Sequence, residues 1–227
     1  MGKIKLTTPK GSLQWVFIDG EGSYNDLSEK FEYKATLRLP TDSDEAKALM
    51  QKLDTLWAES KEKVEYDKAY EEAKPALQAK FEFHKGYTIL EDDDGVPTGD
   101  VDFRFKTGTH FKSKVEGELG KPVKIQVYNA QAKKVELGDT KIGNDSIGRI
   151  SGSAISWARA KMGSAGISLY LSSVQIIVLE EYTQNDFEDE GYAEGNFSDE
   201  TNEFSGIEEP TTNTDTTDTE PSDNAGL

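Results

Sequence analysis

The sequence predicts a mainly β protein: a small antiparallel barrel with one long helix inserted among its strands, followed by a disordered acidic C-terminal tail. Three observations carry that expectation. Several segments alternate apolar and charged residues with period two, which marks a half-buried strand. A single segment repeats apolar residues at three- and four-residue spacing, which marks a helix. Beyond Tyr182 the chain turns to Asp, Glu, Asn, Thr, Ser and Gly, a composition that cannot bury enough apolar surface to offset the entropy of ordering.

The clearest strand runs from Phe31 to Leu39, with Phe31, Tyr33, Ala35, Leu37 and Leu39 on one face and Glu32, Lys34, Thr36 and Arg38 on the other. The same pattern recurs at Val101, Phe103 and Phe105 against Asp102, Arg104 and Lys106. It appears again at Val123, Ile125 and Val127 against Lys124, Gln126 and Tyr128. Ile147 to Trp157 and Ile167 to Leu179 read as two longer strands. Ala158 to Gly166 joins them as a closing hairpin, with Gly163 and Gly166 permitting the turn. After Pro40, Thr41-Asp42-Ser43 offers caps, and Ala46, Leu49, Met50, Leu53, Leu56 and Trp57 follow at helical spacing until the pattern fades toward Pro75. A helix of roughly five turns or more is expected, at about 3.6 residues per turn. Regular alternation of strands and helices, the signature of a doubly wound sheet, is missing.

Charge separates the chain into two parts, a body at 1–182 and a tail at 183–227. The whole carries 26 Lys and Arg against 43 Asp and Glu, a net charge of −17, but the tail holds 14 of the acids and no Lys or Arg. Without those 14 the body has 29 acids against 26 basic residues, a net charge of −3, which does not exclude an anionic ligand. The tail also carries Phe187, Tyr192, Phe197 and Phe204, each flanked by acids, in a spacing that suits neither a strand nor a helix face. No cysteine is present, which removes disulfides, thiolate nucleophiles and Cys-ligated zinc. With no apolar segment of membrane-spanning length and no secretory signal, a cytoplasmic location is expected.

Catalytic motifs fit poorly. His84 and His110 lie 26 residues apart in different strand contexts and do not make a zinc site. Glu91-Asp92-Asp93-Asp94-Gly95 fails as a calcium loop at both charged ends and reads as a hairpin turn between strands at Tyr87 and Val101. Gly20-Glu21-Gly22 and Gly143 to Gly148 lack the residues of a phosphate loop. One enzymatic alternative stands: Asp26, Glu32 and Lys34 could hold a magnesium ion and orient a water, as in a metal-dependent nuclease. Neither enzymatic activity nor a cofactor is the primary expectation.

Binding of single strands has more to work with, because it needs cations that track phosphates and aromatic faces that stack bases. Lys34, Arg38, Arg104, Lys106 and Lys124 project from polar strand faces, with Tyr128 beside Lys124. Trp157, Arg159 and Lys161 form the densest basic and aromatic cluster of the body, in the loop of the late hairpin. The run Leu13 to Ile18 is apolar on both faces, so Trp15 suits the core as readily as a surface. Phe31, Tyr33, Phe103 and Phe105 lie on apolar faces and read as core.

In order along the chain, Phe31-Glu32-Tyr33-Lys34-Ala35-Thr36-Leu37-Arg38-Leu39-Pro40 leading into a helix, Phe103-Arg104-Phe105-Lys106, and Ser156 to Gly166 followed by a strand to Glu180 resemble a known group. These are the single-stranded-DNA-binding proteins of tailed bacteriophages, the gene-2.5-like OB-fold group, and the similarity spans roughly residues 13–182. The resemblance implies a five-stranded OB-fold-like barrel that covers exposed single strands during replication and recombination. It also implies an acidic tail that competes with DNA and contacts the polymerase and helicase-primase. Tyr33 with Lys34, Arg104 with Lys106, and Trp157 are the matching site positions. This chain ends Asn224-Ala225-Gly226-Leu227, where better-known members end on an aromatic residue. A phage origin would place the protein in the bacterial host cytoplasm. A homodimer is left open, and an acidic DNA-mimic adaptor stands as a further alternative.

Overall fold

Long strands that bury alternate side chains determine the architecture. The computed structural model describes residues 2–182 apart from Leu27, Lys114, Glu116 and Gly117, so the expected tail at 183–227 lies outside the described residues. Chain order begins with β1 (Lys3–Thr7), β2 (Gly11–Phe17), β3 (Ser23–Asn25) and β4 (Lys30–Pro40). Three helices follow, α1 (Asp44–Ala58), α2 (Lys61–Glu72) and the single turn α3 (Pro75–Gln78). Then come β5 (Glu82–His84), β6 (Thr88–Glu91), β7 (Pro97–Gly108), β8 (Gln126–Tyr128), β9 (Lys134–Val135), β10 (Ser146–Arg159) and β11 (Ser164–Val178).

Five of these strands close into the expected barrel in the cyclic order β2, β4, β7, β11, β10 and back to β2. Four junctions are antiparallel, and the fifth, β7 against β11, is parallel. Alternation sorts the side chains. Leu13, Ala35, Leu37, Phe103, Phe105, Ile150 and Val174 point inward and are fully buried, as the apolar faces of β4 and β7 require. Phe31 departs from the expectation. Its position near the start of β4 leaves it exposed, edge-on to Tyr24 of β3.

The predicted long helix is two. Ser43 caps α1, its hydroxyl accepting the Ala46 amide at 3.2 Å, and the stripe Ala46, Leu49 and Leu53 joins the barrel core. Ser60 then takes an extended backbone and accepts the Lys63 amide at 3.2 Å, which restarts the helix as α2. The break falls where the apolar stripe ends at Trp57, well before Pro75. Rings hold the second helix down: Tyr66 and Tyr70 meet Phe81, and Tyr66 meets Trp57 of α1 at 6.1 Å. Buried Glu62 of α2 accepts from the Ser156 hydroxyl of β10 at 3.1 Å, and Ser156 also accepts the Gly2 amide.

The late hairpin is tighter than its glycines suggest. Trp157 pairs with Gly166 and Arg159 with Ser164, so both belong to β10, and only a 3₁₀ turn at Ala160–Met162 with left-handed Gly163 (φ 67°) joins the strands. Gly152 allows the same pair to approach, since a Cβ there would sit 1.9 Å from the Tyr170 carbonyl oxygen. The segment expected as a strand at Val123 to Val127 pairs only from Gln126, as β8 against β11. The acidic run at Glu91 to Gly95 is a hairpin turn between β6 and β7, with the Asp92 carboxylate accepting the Asp94 and Val96 amides.

Candidate nucleic-acid interface

The outward residues of the barrel strands form the candidate site. Strand register places Phe17 opposite Lys34, Lys34 opposite Lys106, and Lys106 beside Tyr170, a row across β2, β4, β7 and β11. At about 4.8 Å per strand the row spans roughly 14 Å. Its outer members are rings in water, Phe17 at 42% exposure and Tyr170 at 44%. The Lys34 ammonium stands 4.8 Å from the centre of the Phe17 ring. One step along the strands, Thr36 faces Arg104, and one further, Arg38 faces Asp102.

The four cations of this face are not equivalent. Arg38 donates to both oxygens of Asp102, at 2.8 and 3.0 Å, and that hydrogen-bonded carboxylate raises the guanidinium pKa above its ordinary value. Lys106 has Glu32 at 3.7 Å. Lys34 and Arg104 have no carboxylate partner among the described residues, and Arg104 is exposed. Two cations between two exposed rings can take phosphates and stack bases at once.

A β-bulge makes the row. From Gln14 to Phe17 the chain advances three residues while its partner β4 retreats two, from Thr36 to Lys34, so one residue is extra. Strict alternation would have turned Phe17 inward with Leu13; the extra residue turns it outward onto Lys34 and seats Ile18 in the core. Trp15 takes the left-handed backbone that the bulge needs, at φ 52°, and its ring is 54% exposed. Trp15 is therefore a surface residue, a point that a run apolar on both faces left open.

A sequence-family model for the single-stranded DNA-binding protein of bacteriophage T7 matches residues 15–179, nearly three-quarters of the chain. The chain belongs to this family. The family is one of DNA-binding proteins rather than enzymes. The crystal structure of the T7 member, gp2.5, is similar to the chain at a TM-score of 0.56 and 19% identity, covering 84% of this chain and 98% of that one. The single-stranded DNA-binding protein of bacteriophage Enc34, solved in complex with single-stranded DNA, is similar at 0.45 and 14%, covering 82% and 90%. Comparison with curated proteins gives no match.

Against the expected site, this family member groups Lys34, Arg38, Arg104 and Lys106 on one barrel face. Tyr33 is not on it. Its ring faces inward at 8% exposure, its hydroxyl donating to the Gly20 carbonyl, because β4 alternates and Lys34 takes the outward place. Trp157, Arg159 and Lys161 sit at the tip of the β10–β11 hairpin, on the strand and turn rather than in a loop. The Trp157 ring stacks on His84 at 5.9 Å, with Arg159 at 5.8 Å from its centre. Lys124 and Tyr128 lie on the 122–138 segment, Lys124 at 3.3 Å from Glu136 and lining a cleft under Tyr33. Phe17 and Tyr170 were missed. Tyr170 was legible: it is the one aromatic on the serine-rich alternate face of Ile167 to Leu179. The nuclease alternative finds Glu32 occupied by Lys106, and no group of three His, Asp or Glu able to hold a metal ion exists among the described residues.

Proposed function

We propose that this family member binds single-stranded DNA without sequence preference on the outer face of β2, β4, β7 and β11, and serves phage DNA replication and recombination in the bacterial cytoplasm. The observation that carries the reading is the row Phe17, Lys34, Lys106 and Tyr170, with exposed Arg104 beside it. Phosphates follow Lys34, Arg104 and Lys106, and bases lie on the two rings. Membership of a single-stranded DNA-binding family supports it. No helix among the described residues is long and apolar enough to cross a membrane.

The tail, 183–227, completes the proposal. With 14 acids and no basic residue it competes with DNA for the cation face and offers replication proteins, such as a polymerase or helicase-primase, a charged hook. Titrating the intrinsic tryptophan fluorescence with oligo-dT at several salt concentrations tests both parts. Binding should weaken with salt at a slope of about −0.7 per phosphate neutralised, and removal of 183–227 should tighten it. Indifference to oligo-dT at low salt overturns the DNA reading; unchanged or weaker binding without the tail overturns the competition.

A further inference from the structure

Trp15 is held in a conformation that costs energy, and its side chain lies outside the hydrophobic core. A bulky residue at φ 52° is an outlier where glycine is the ordinary occupant. The strain persists because the 143–146 turn pins the strand. The Trp15 amide donates to the Asn144 side-chain oxygen at 2.9 Å, Asp145 accepts from Ser12 and Gln14 at 3.0 and 2.6 Å, and the Asp145 amide donates to Leu13 at 3.0 Å. These contacts lock the backbone, while the ring stands beside a cleft of about 740 Å³, a volume ordinary for a small-molecule site.

The cleft has a defined chemistry. Trp15 and Phe17 supply aromatic surface, and Asn144 lines it with a side-chain NH₂ that has no partner among the described residues. Three acids, Asp19, Glu21 and Asp139, face one lysine, Lys141, which disfavours a phosphate. A flat, uncharged ring bearing a carbonyl acceptor fits all three conditions. Phe17 belongs both to the cleft and to the cation row, so a strand lying on Lys34 passes the cleft mouth.

We propose that this cleft receives one unstacked nucleobase of the bound strand, stacked on Trp15 and hydrogen-bonded at a carbonyl oxygen by the Asn144 amide. The inference rests on the single-strand reading above and names a second contact beyond its cation face. Trp15→Gly tests it, because glycine removes the ring and suits φ 52°, so folding is not at risk. Thermal stability should be equal or higher, and oligo-dT affinity should fall about 5- to 150-fold, the value of one stacked base. Asn144→Asp keeps the acceptor for the Trp15 amide and replaces the donor with a carboxylate, and should also weaken binding. Wild-type affinity in Trp15→Gly, beside lost affinity in Lys34→Ala/Arg104→Ala, overturns the base cleft and leaves the cation face standing. Failure of the wild-type protein to bind oligo-dT removes both.

Discussion

The β2–β4–β7–β11 face and the tip of the β10–β11 hairpin both combine cations with aromatic rings, yet they use them differently. On the face, Phe17 and Tyr170 are exposed, and Lys34 and Arg104 lack carboxylate partners among the described residues. At the tip, Trp157 is half-buried on His84, and its indole nitrogen is buried with no hydrogen-bond partner among the described residues. One ring face of Trp157 is already spent within the protein. Composition alone does not make a stacking platform; exposed rings beside cations that lack a carboxylate partner among the described residues do.

The largest effect that would break this comparison is electrostatic. Lys34→Ala/Arg104→Ala should lower oligo-dT affinity by roughly tenfold or more at low salt and reduce the salt slope by about 1.4, from two lost phosphate contacts. An unchanged slope, measured by titration between low and moderate salt, would move the phosphate path elsewhere. Tyr170→Ala comes next and should cost about 1–3 kcal/mol of binding with little loss of stability, read from the same titration and a thermal melt. Arg159→Ala/Lys161→Ala at the tip should cost less than the face pair; an equal cost would put the two regions on the same footing.

Smallest for binding, but clearest for stability, is Glu62→Gln. Burial pushes the Glu62 carboxyl up, and hydrogen bonds that include its own backbone amide, the Ser156 hydroxyl and the Gly2 amide outweigh it and hold it at about 2, against 4.5 for a free carboxyl. A depressed folded pKa gives stability that is present above 4.5 and lost as pH falls toward 2. Wild type should therefore exceed Glu62→Gln in stability at neutral pH, with the gap closing between those values in acid melts. DNA affinity should not change, since Glu62 packs at the helical end of the barrel.

Much of this was legible from alternation. The faces of β4 and β7 followed from their period, and with them the grouping of Lys34, Arg38, Arg104 and Lys106 and the burial of Phe103 and Phe105. Alternation also placed Tyr33 inward, which outweighs its place beside Lys34 in the family pattern. What escaped depends on contacts distant in sequence. The bulge at Trp15 is held by Asn144 and Asp145, some 130 residues on, and the parity of Phe17 turns on it. The break at Ser60 is a local cap, but Ser60 lies in a run of charged helix formers that hides it. Gly152 makes room for the Tyr170 backbone, a close approach that no periodicity shows.

Photocrosslinking locates the bound strand on the protein surface. Oligonucleotides carrying 5-iododeoxyuridine, bound to the full chain and irradiated, should yield adducts at Phe17 and Tyr170, identified by mass spectrometry of the digested protein. Adducts confined to the Trp57, Tyr66, Tyr70 and Phe81 cluster of the helices, with none on β2 or β11, would place the strand off the barrel face.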